Sequence, residues 1–169
     1  MLVLDTSAFI MGFNPSKAEE AYSVRAVEEE LSDGTIPQLR FRMFSDKGVL
    51  TVQSPSLRAE RTIEEASSSV GESGYLSKAD REVLALAVDL KLDGREPVIV
   101  SDDYAIQNIA DHLQIRHGSL ANYGIVHRFN WIMYCPACHR RYKPPAKKCL
   151  VCGTELRRKV LSKTKANRR

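Results

Sequence analysis

The sequence predicts an α/β fold, a parallel sheet flanked by helices, with a small four-cysteine module appended. Three observations carry this reading. The short apolar runs Leu2-Val3-Leu4 and Val98-Ile99-Val100 alternate with amphipathic helical patterns, the first delivering Asp5 and the second Ser101-Asp102-Asp103; such alternation marks parallel strands joined by helices. All four cysteines fall late in the chain, as Cys135-x-x-Cys138 and Cys149-x-x-Cys152. The charge also divides there: residues 1–134 hold 13 Lys+Arg against 20 Asp+Glu, net −7, whereas residues 135–169 hold 12 against 1, net +11.

Taken in order, Leu2-Val3-Leu4 reads as a buried strand that ends at Asp5, followed by Thr6-Ser7 and a turn through Gly12 to Pro15. A helix is expected over roughly 17–32, with Val24, Val27 and Leu31 on one face, stopped by Asp33-Gly34. Residues 39–44 and 49–52 read as strands or extended segments. Pro55 opens a helix in which Ala59, Ile63, Ala66 and Val70 recur at helical spacing. Ser77-x-x-Asp80 has the form of a capping box for a helix running to about Leu92. Val98-Ile99-Val100 is a second buried strand, and a helix with Ala105, Ile106, Ile109, Ala110 and Leu113 on one side follows it. Beyond about 115 the helical pattern fades into a connection through Gly118 and Gly124, and Phe129 to Tyr134 alternate toward the first cysteine.

These limits predict a first domain over 1–122, a linker over 123–130, a cysteine module over 131–155 and a basic flexible tail over 156–169. A module of about 30 residues cannot hold itself by burial alone. Nothing at the amino terminus has the form of a signal peptide, and no apolar run reaches the ~18 residues of a membrane span. The expectation is a cytoplasmic protein with reduced thiols and no membrane partner.

Four separate elements each offer a carboxylate near one end: Asp5, Glu30 or Glu28, Asp80, and Asp103 or Asp102. Taken singly, the later aspartates read equally well as helix caps and the glutamates as a solvated face. Yet a glutamate triplet in the last turns of a helix opposes the macrodipole, and Asp5 ends a strand. In a parallel sheet the strand-end acids share one rim, so converging carboxylates would need protonation or a divalent cation. Oxygen-only ligands favour Mg²⁺ or Mn²⁺, one or two ions, suited to phosphodiester hydrolysis. Thr6, Ser7 and Ser101 are placed to hydrogen-bond those acids.

The two C-x-x-C pairs have the form of zinc knuckles, with Cys135, Cys138, Cys149 and Cys152 as ligands of one structural Zn²⁺. Cys135-x-x-Cys138-His139 also matches a haem-attachment pattern, but that leaves the second pair unexplained, and disulfides conflict with the expected compartment. Cations and aromatics interleave around the knuckles: Arg128, Phe129, Trp131, Tyr134, Arg140, Arg141, Tyr142, Lys143, Lys147 and Lys148, with Arg157, Arg158 and Lys159 beyond them. That mixture suits phosphate contacts and base stacking on RNA, although Trp131 and Tyr134 fit equally well beneath the cysteines as packing.

Leu-Asp5-Thr-Ser, Glu30-Leu-Ser-Asp, Leu-Ser-Lys-Ala-Asp80 and Ser-Asp102-Asp103-Tyr-Ala-Ile-Gln-Asn, in that order, resemble the motifs of PIN-domain ribonucleases over about residues 1–120. The resemblance implies a PIN-like fold in which Asp5, Glu30, Asp80 and Asp103 hold the catalytic metal, with Asp102 a neighbour that shares the task. With the zinc ribbon added, the chain resembles the Nob-type endoribonucleases over 1–155, and its compact length resembles archaeal rather than eukaryotic members. That likeness implies maturation of the 3′ end of small-subunit rRNA on a pre-ribosomal particle, in company with assembly factors. A non-catalytic rRNA-binding assembly factor and a toxin-type PIN ribonuclease are the competing readings.

Overall fold

Apolar segments of three residues cannot make a sheet alone, so each strand here depends on its neighbours and on the helices that cover them. The computed structural model describes residues 1–15, 20–72, 74–120, 127–143 and 146–165. In chain order the elements are β1 (Leu2–Leu4), α1 (Thr6–Ile10), β2 (Ala21–Ser23), α2 (Arg25–Glu30), α3 (Ile36–Asp46), β3 (Leu50–Val52), α4 (Leu57–Val70) and α5 (Lys78–Leu92). They continue with β4 (Val98–Val100), α6 (Tyr104–His112), β5 (Arg116–Gly118), β6 (His127–Tyr134), β7 (Arg141–Tyr142) and β8 (Arg157–Lys165). Strands β1 to β5 form one sheet in the order β3-β2-β1-β4-β5, every pair parallel. A second, antiparallel sheet has the order β7-β6-β8.

The strand order changes direction between β1 and β4. From β1 the chain winds outward to β2 and β3, and from β4 it winds the other way to β5. The carboxyl ends of β1 and β4 therefore lie side by side at the point where the order reverses, the place where parallel α/β sheets build their sites. Asp5 follows β1 directly, and Ser101-Asp102-Asp103 follows β4.

Helix α5 is the core of the first domain, with Val83, Leu84, Ala85, Leu86, Ala87 and Leu90 all buried. A helix buried on most sides must lie between layers, and α5 packs on α4, α6, β1 and β4. Its start has the expected capping box, Ser77 accepting from the Asp80 amide and Asp80 from the Ser77 amide. Gly71 ends α4 at φ +81°, the left-handed turn that turns the chain toward α5. No helix among the described residues is long and apolar enough to cross a membrane.

Four expectations need correction. The helix expected over 17–32 is instead a strand and a short helix, β2 and α2, because Ala21-Tyr22-Ser23 is claimed as a parallel strand between β1 and β3. Residues 39–44, expected as a strand, lie within α3. Leu39-Arg40-Phe41-Arg42 alternates like a strand, but Pro37 in the first turn and the buried set Gln38, Phe41 and Phe44 follow helical spacing. Phe41 stacks on Phe9 of α1 with ring centroids 5.0 Å apart. The fading segment contains β5, an edge strand of Arg116-His117-Gly118 too polar and short to announce itself.

The fourth correction concerns the expected linker and tail. Residues 123–126 lie outside the described residues, but β6 already begins at His127. Residues 157–165 are not a flexible tail: they form β8, paired with β6 from His127↔Lys165 to Tyr134↔Arg157. Backbone hydrogen bonds to β6 supply the order that the apolar content of this segment does not. Residues 166–169 lie outside the described residues.

Ser56 accepts from the Ala59 amide and donates to Asp89 of α5 at 2.7 Å, while its own amide donates to Asp89 at 2.6 Å. Ser56→Ala is therefore expected to cost about 1 kcal/mol of stability in urea unfolding, with no change in metal binding.

Candidate active site and metal centre

Burial of β1 carries Asp5 inward with it, leaving its residue only 3% exposed. One carboxylate oxygen, Oδ2, accepts from Ser7 at 3.0 Å and from Ser101 at 2.8 Å. The other, Oδ1, is buried and accepts from no group among the described residues. Each serine is used twice: Ser7 Oγ also accepts the Asp102 amide at 3.2 Å, and Ser101 Oγ the Asp103 amide at 3.0 Å. The ends of β1 and β4 are thereby laced together around one carboxylate.

The other acids come from the surrounding elements. Thr6, next to Asp5, donates to Glu30 at 2.6 Å. Glu28 is instead engaged by Arg42 at 2.8 Å and Arg25 at 3.4 Å, and Glu29 by Lys78 at 3.1 Å, so Glu30 is the member of the triplet tied to the β1 end. Asp80 sits in the first turn of α5, its Oδ2 held by the Ser77 amide at 2.7 Å. Asp103 caps α6, accepting from the Ala105 amide at 2.5 Å. Asp102 turns one oxygen the other way, to the Ser119 hydroxyl and the Leu120 amide, pinning the segment after β5. Sequence reasoning missed Ser119 and Leu120 because it missed β5.

Burial pushes the Asp5 pKa above the ordinary carboxylate range, against the lowering effect of its hydrogen bonds. Asp80 is raised too, first by burial, and also by the negative charges of Asp5 and Asp103. Asp80 therefore lies within electrostatic reach of Asp5 and Asp103, although among the described residues only the four cysteines bring their ligand atoms together closely enough to share an ion. A buried carboxylate oxygen without a donor, beside further acids and no lysine or arginine bonded to Asp5, fits a hard divalent cation bound through oxygen.

In the second sheet the two cysteine turns have the same backbone pattern. Cys135 N donates to Arg140 O and His139 N to Cys135 O, both at 2.9 Å; Cys149 N donates to Thr154 O and Gly153 N to Cys149 O, also at 2.9 Å. His139 and Gly153 hold matching left-handed conformations, φ +58° and +70°. The turns bring all four thiols within 4.8 Å of one another, a four-cysteine metal-binding cluster compatible with a zinc ribbon. Tyr142 Oη lies 3.0 Å from Cys149 Sγ and draws the Cys149 pKa down to about 5, favouring the thiolate that binds metal. The buried core is small, Cys135, Cys149 and Leu156 with Met133, Cys138, Tyr142 and Ala146 against them.

Of the cations expected to meet RNA, Arg140, Arg141, Lys143, Lys147, Lys148, Arg157 and Lys159 are exposed. Arg158 is the exception. Its guanidinium pairs with Glu72 at 2.6 Å and lies 4.1 Å from the centroid of the Tyr75 ring, because strand alternation turns it toward the first domain while its neighbours Arg157 and Lys159 face out. The side chain of Trp131 lies outside the described residues.

Two variants test these sites. Because folding raises the Asp5 pKa, wild type in EDTA should gain stability as pH falls through the raised value and lose it as pH rises. Asp5→Asn should weaken that dependence to the part that the raised Asp80 still supplies, stabilise the EDTA-treated protein by about 1 kcal/mol, and abolish stabilisation by Mg²⁺ or Mn²⁺ in calorimetry. Cys149→Ser should release the metal of the cysteine cluster and unfold the β6–β8 sheet, read by zinc analysis and by the amide NMR spectrum, while the β1–β5 domain stays folded.

Residues 2–90 match the family model described as the PIN domain of ribonuclease. The chain is 35% identical over 164 residues to "Endoribonuclease Nob1" of Methanothermobacter thermautotrophicus, covering 93% of this chain and 91% of that protein. It is 36% identical over 158 residues to "Endoribonuclease Nob1" of Pyrococcus abyssi, covering 92% and 91%. It is also similar to "Ribonuclease VapC1" of Thermoplasma acidophilum, at 30% identity over 156 residues, covering 92% and 76%. A carboxylate at the strand switch point, a four-cysteine module after it in the chain, and relatives aligned through both lead to one assignment: the chain belongs to the Nob1-type PIN-domain endoribonucleases.

Proposed function

We propose that this chain hydrolyses a single-stranded phosphodiester in precursor small-subunit rRNA to mature its 3′ end, in the cytoplasm, on a small-subunit particle with its assembly factors. The observation that carries the catalytic part is the Asp5 carboxylate, buried with one oxygen undonated at the strand switch point, with Glu30 tied to the adjacent Thr6 and Asp80 within electrostatic reach of it and of Asp103. An RNA substrate is supported by the relatives' name and by the charge of the second module, and its being precursor small-subunit rRNA is what the Nob-type resemblance implies.

Asp5, Glu30, Asp80 and Asp103 would hold Mg²⁺ or Mn²⁺. When bound, such an ion activates water and offsets the charge that builds on the phosphodiester. The chain's own residues orient the carboxylates. Ser7 and Ser101 fix one oxygen of Asp5, leaving the other without a donor among the described residues; Thr6 holds Glu30; the Ser77 amide holds Asp80. Asp102, anchored to Ser119 and Leu120, keeps the Asp103 amide on Ser101. Zn²⁺ is the ion assigned to Cys135, Cys138, Cys149 and Cys152, where it has a structural role.

RNA affinity is assigned to the outer face of the second sheet. Tyr134 of β6 stands directly opposite Arg141 on one side and Arg157 on the other, and Lys159 Nζ lies 5.8 Å from its ring centroid. A ring flanked by cations suits a stacked base between two phosphates. Since such contacts read little sequence, the cut position follows from the structure of the RNA and its particle.

An RNA spanning the small-subunit 3′ end, incubated with Mn²⁺ or Mg²⁺, should be cut at one site by wild type and left intact by Asp5→Asn, with binding retained. Binding without metal-dependent cleavage by wild type, even within particles, would replace the nuclease by an rRNA-binding assembly factor. Replacing Arg141 and Arg157 by Ala should weaken binding and flatten the salt dependence by about 0.7 in log–log slope per lost phosphate contact.

A further inference from the structure

The first domain is acidic and the second basic, and among the described residues one of the contacts between them is an ion pair made at close range but not as an aligned hydrogen bond. Glu72, in the turn between α4 and α5, is only 4% exposed. Its Oε2 pairs with Arg158 of β8 at 2.6 Å, and its Oε1 accepts from Asn108 of α6 at 3.2 Å. The Arg158 side chain is 19% exposed and lies over Tyr75, which follows Glu72 in the same turn. The turn is itself held, Glu72 N donating to Ser67 O at 2.8 Å and Tyr75 N to Glu72 O at 3.0 Å. β6 runs alongside α4 and α6 at this face.

The location of this contact matters more than its strength. The turn that carries Glu72 and Tyr75 leads into the Ser77–Asp80 capping box, so it sets the start of α5 and the position of Asp80. Asn108 belongs to α6, whose first position is Asp103. The two elements that Arg158 reaches, directly or through Glu72, are thus the two that present Asp80 and Asp103. On the other side, Arg158 stands between Arg157 and Lys159, and opposite Met133, which is next to Tyr134. One guanidinium therefore connects the cationic outer face of the ribbon sheet to the elements that carry those acids.

We propose that Arg158 and Glu72 are positioning residues: their clamp holds the RNA-gripping sheet at a fixed placement relative to the carboxylates, so that RNA bound on the ribbon meets the site in one register. This deepens the nuclease reading and, in its catalytic consequence, rests on it. A planar guanidinium stacked on a ring and paired with a carboxylate holds orientation in a way a lysine ammonium does not, and misplacing a substrate by about 1 Å can cost on the order of 100-fold in rate.

The test uses the full, zinc-loaded chain. Backbone ¹⁵N relaxation should give one rotational correlation time for both domains in wild type. In Glu72→Gln and in Arg158→Met the ribbon amides should acquire their own, shorter time, with Arg158→Lys intermediate. On the RNA spanning the small-subunit 3′ end, both variants should keep the wild-type Kd within about twofold, since the outward cations are untouched, while kcat falls about 10- to 100-fold or cuts spread to neighbouring phosphodiesters. The same phenotype from opposite sides of the contact distinguishes loss of the clamp from local unfolding of either domain. Independent tumbling in wild type, retention of a single tumbling time in both variants, or loosened domains with unchanged cleavage would each overturn the proposal. If wild type tumbles as one body, the variants loosen, and no protein cuts RNA, the clamp stands and the nuclease reading fails.

Discussion

A carboxylate buried at the end of a central strand is costly unless something compensates its charge, and the first domain is arranged around one such group, Asp5. The parallel order β3-β2-β1-β4-β5 puts β1 and β4 side by side, with their carboxyl ends adjacent. Two serines satisfy only one of the Asp5 oxygens, and spend their remaining capacity on the amides of Asp102 and Asp103. Asp80 is brought into the same field. The fold thus holds acids that repel one another together with the burial energy of α5 and its neighbours, accepting local instability at the end of β1.

The second sheet solves an opposite problem. It has almost no apolar core, and its order comes from thiols converging on a metal position and from the long β6–β8 ladder. Four thiols gathered at one point and a carboxylate buried at a strand end are two distinct ways of concentrating ionisable groups in one chain. Alternation along β8 then sorts the cations: Arg157 and Lys159 outward, Arg158 inward to Glu72. The two exposed cations give this sheet a basic face, whereas the first domain is acidic.

Legibility in the sequence followed the length and purity of each pattern. The capping box at Ser77, the apolar runs at β1 and β4, and the paired cysteines were all readable because their signals are local. Leu39 to Phe44 was not, since alternation of leucine, arginine and phenylalanine satisfies a strand as well as a helix until Gln38, Phe41 and Phe44 find their partners. Arg116-His117-Gly118 becomes β5 only because β4 offers an edge, and Arg157 to Lys165 becomes a strand only because β6 lies beside it.

By itself the sequence determined the two-part charge, the metal-binding cysteines and the identity of the strand-end acids, because each is written in residue type and short-range spacing. Only the tertiary structure decided which glutamate of the triplet turns to the β1 end, which aspartate of the doublet is bound to the β5 loop, and which arginine is drawn from the basic face to Glu72. Those choices depend on which groups from distant segments come within hydrogen-bonding or ion-pairing reach. Neighbouring residues of one type differ only in direction, and direction is set by packing.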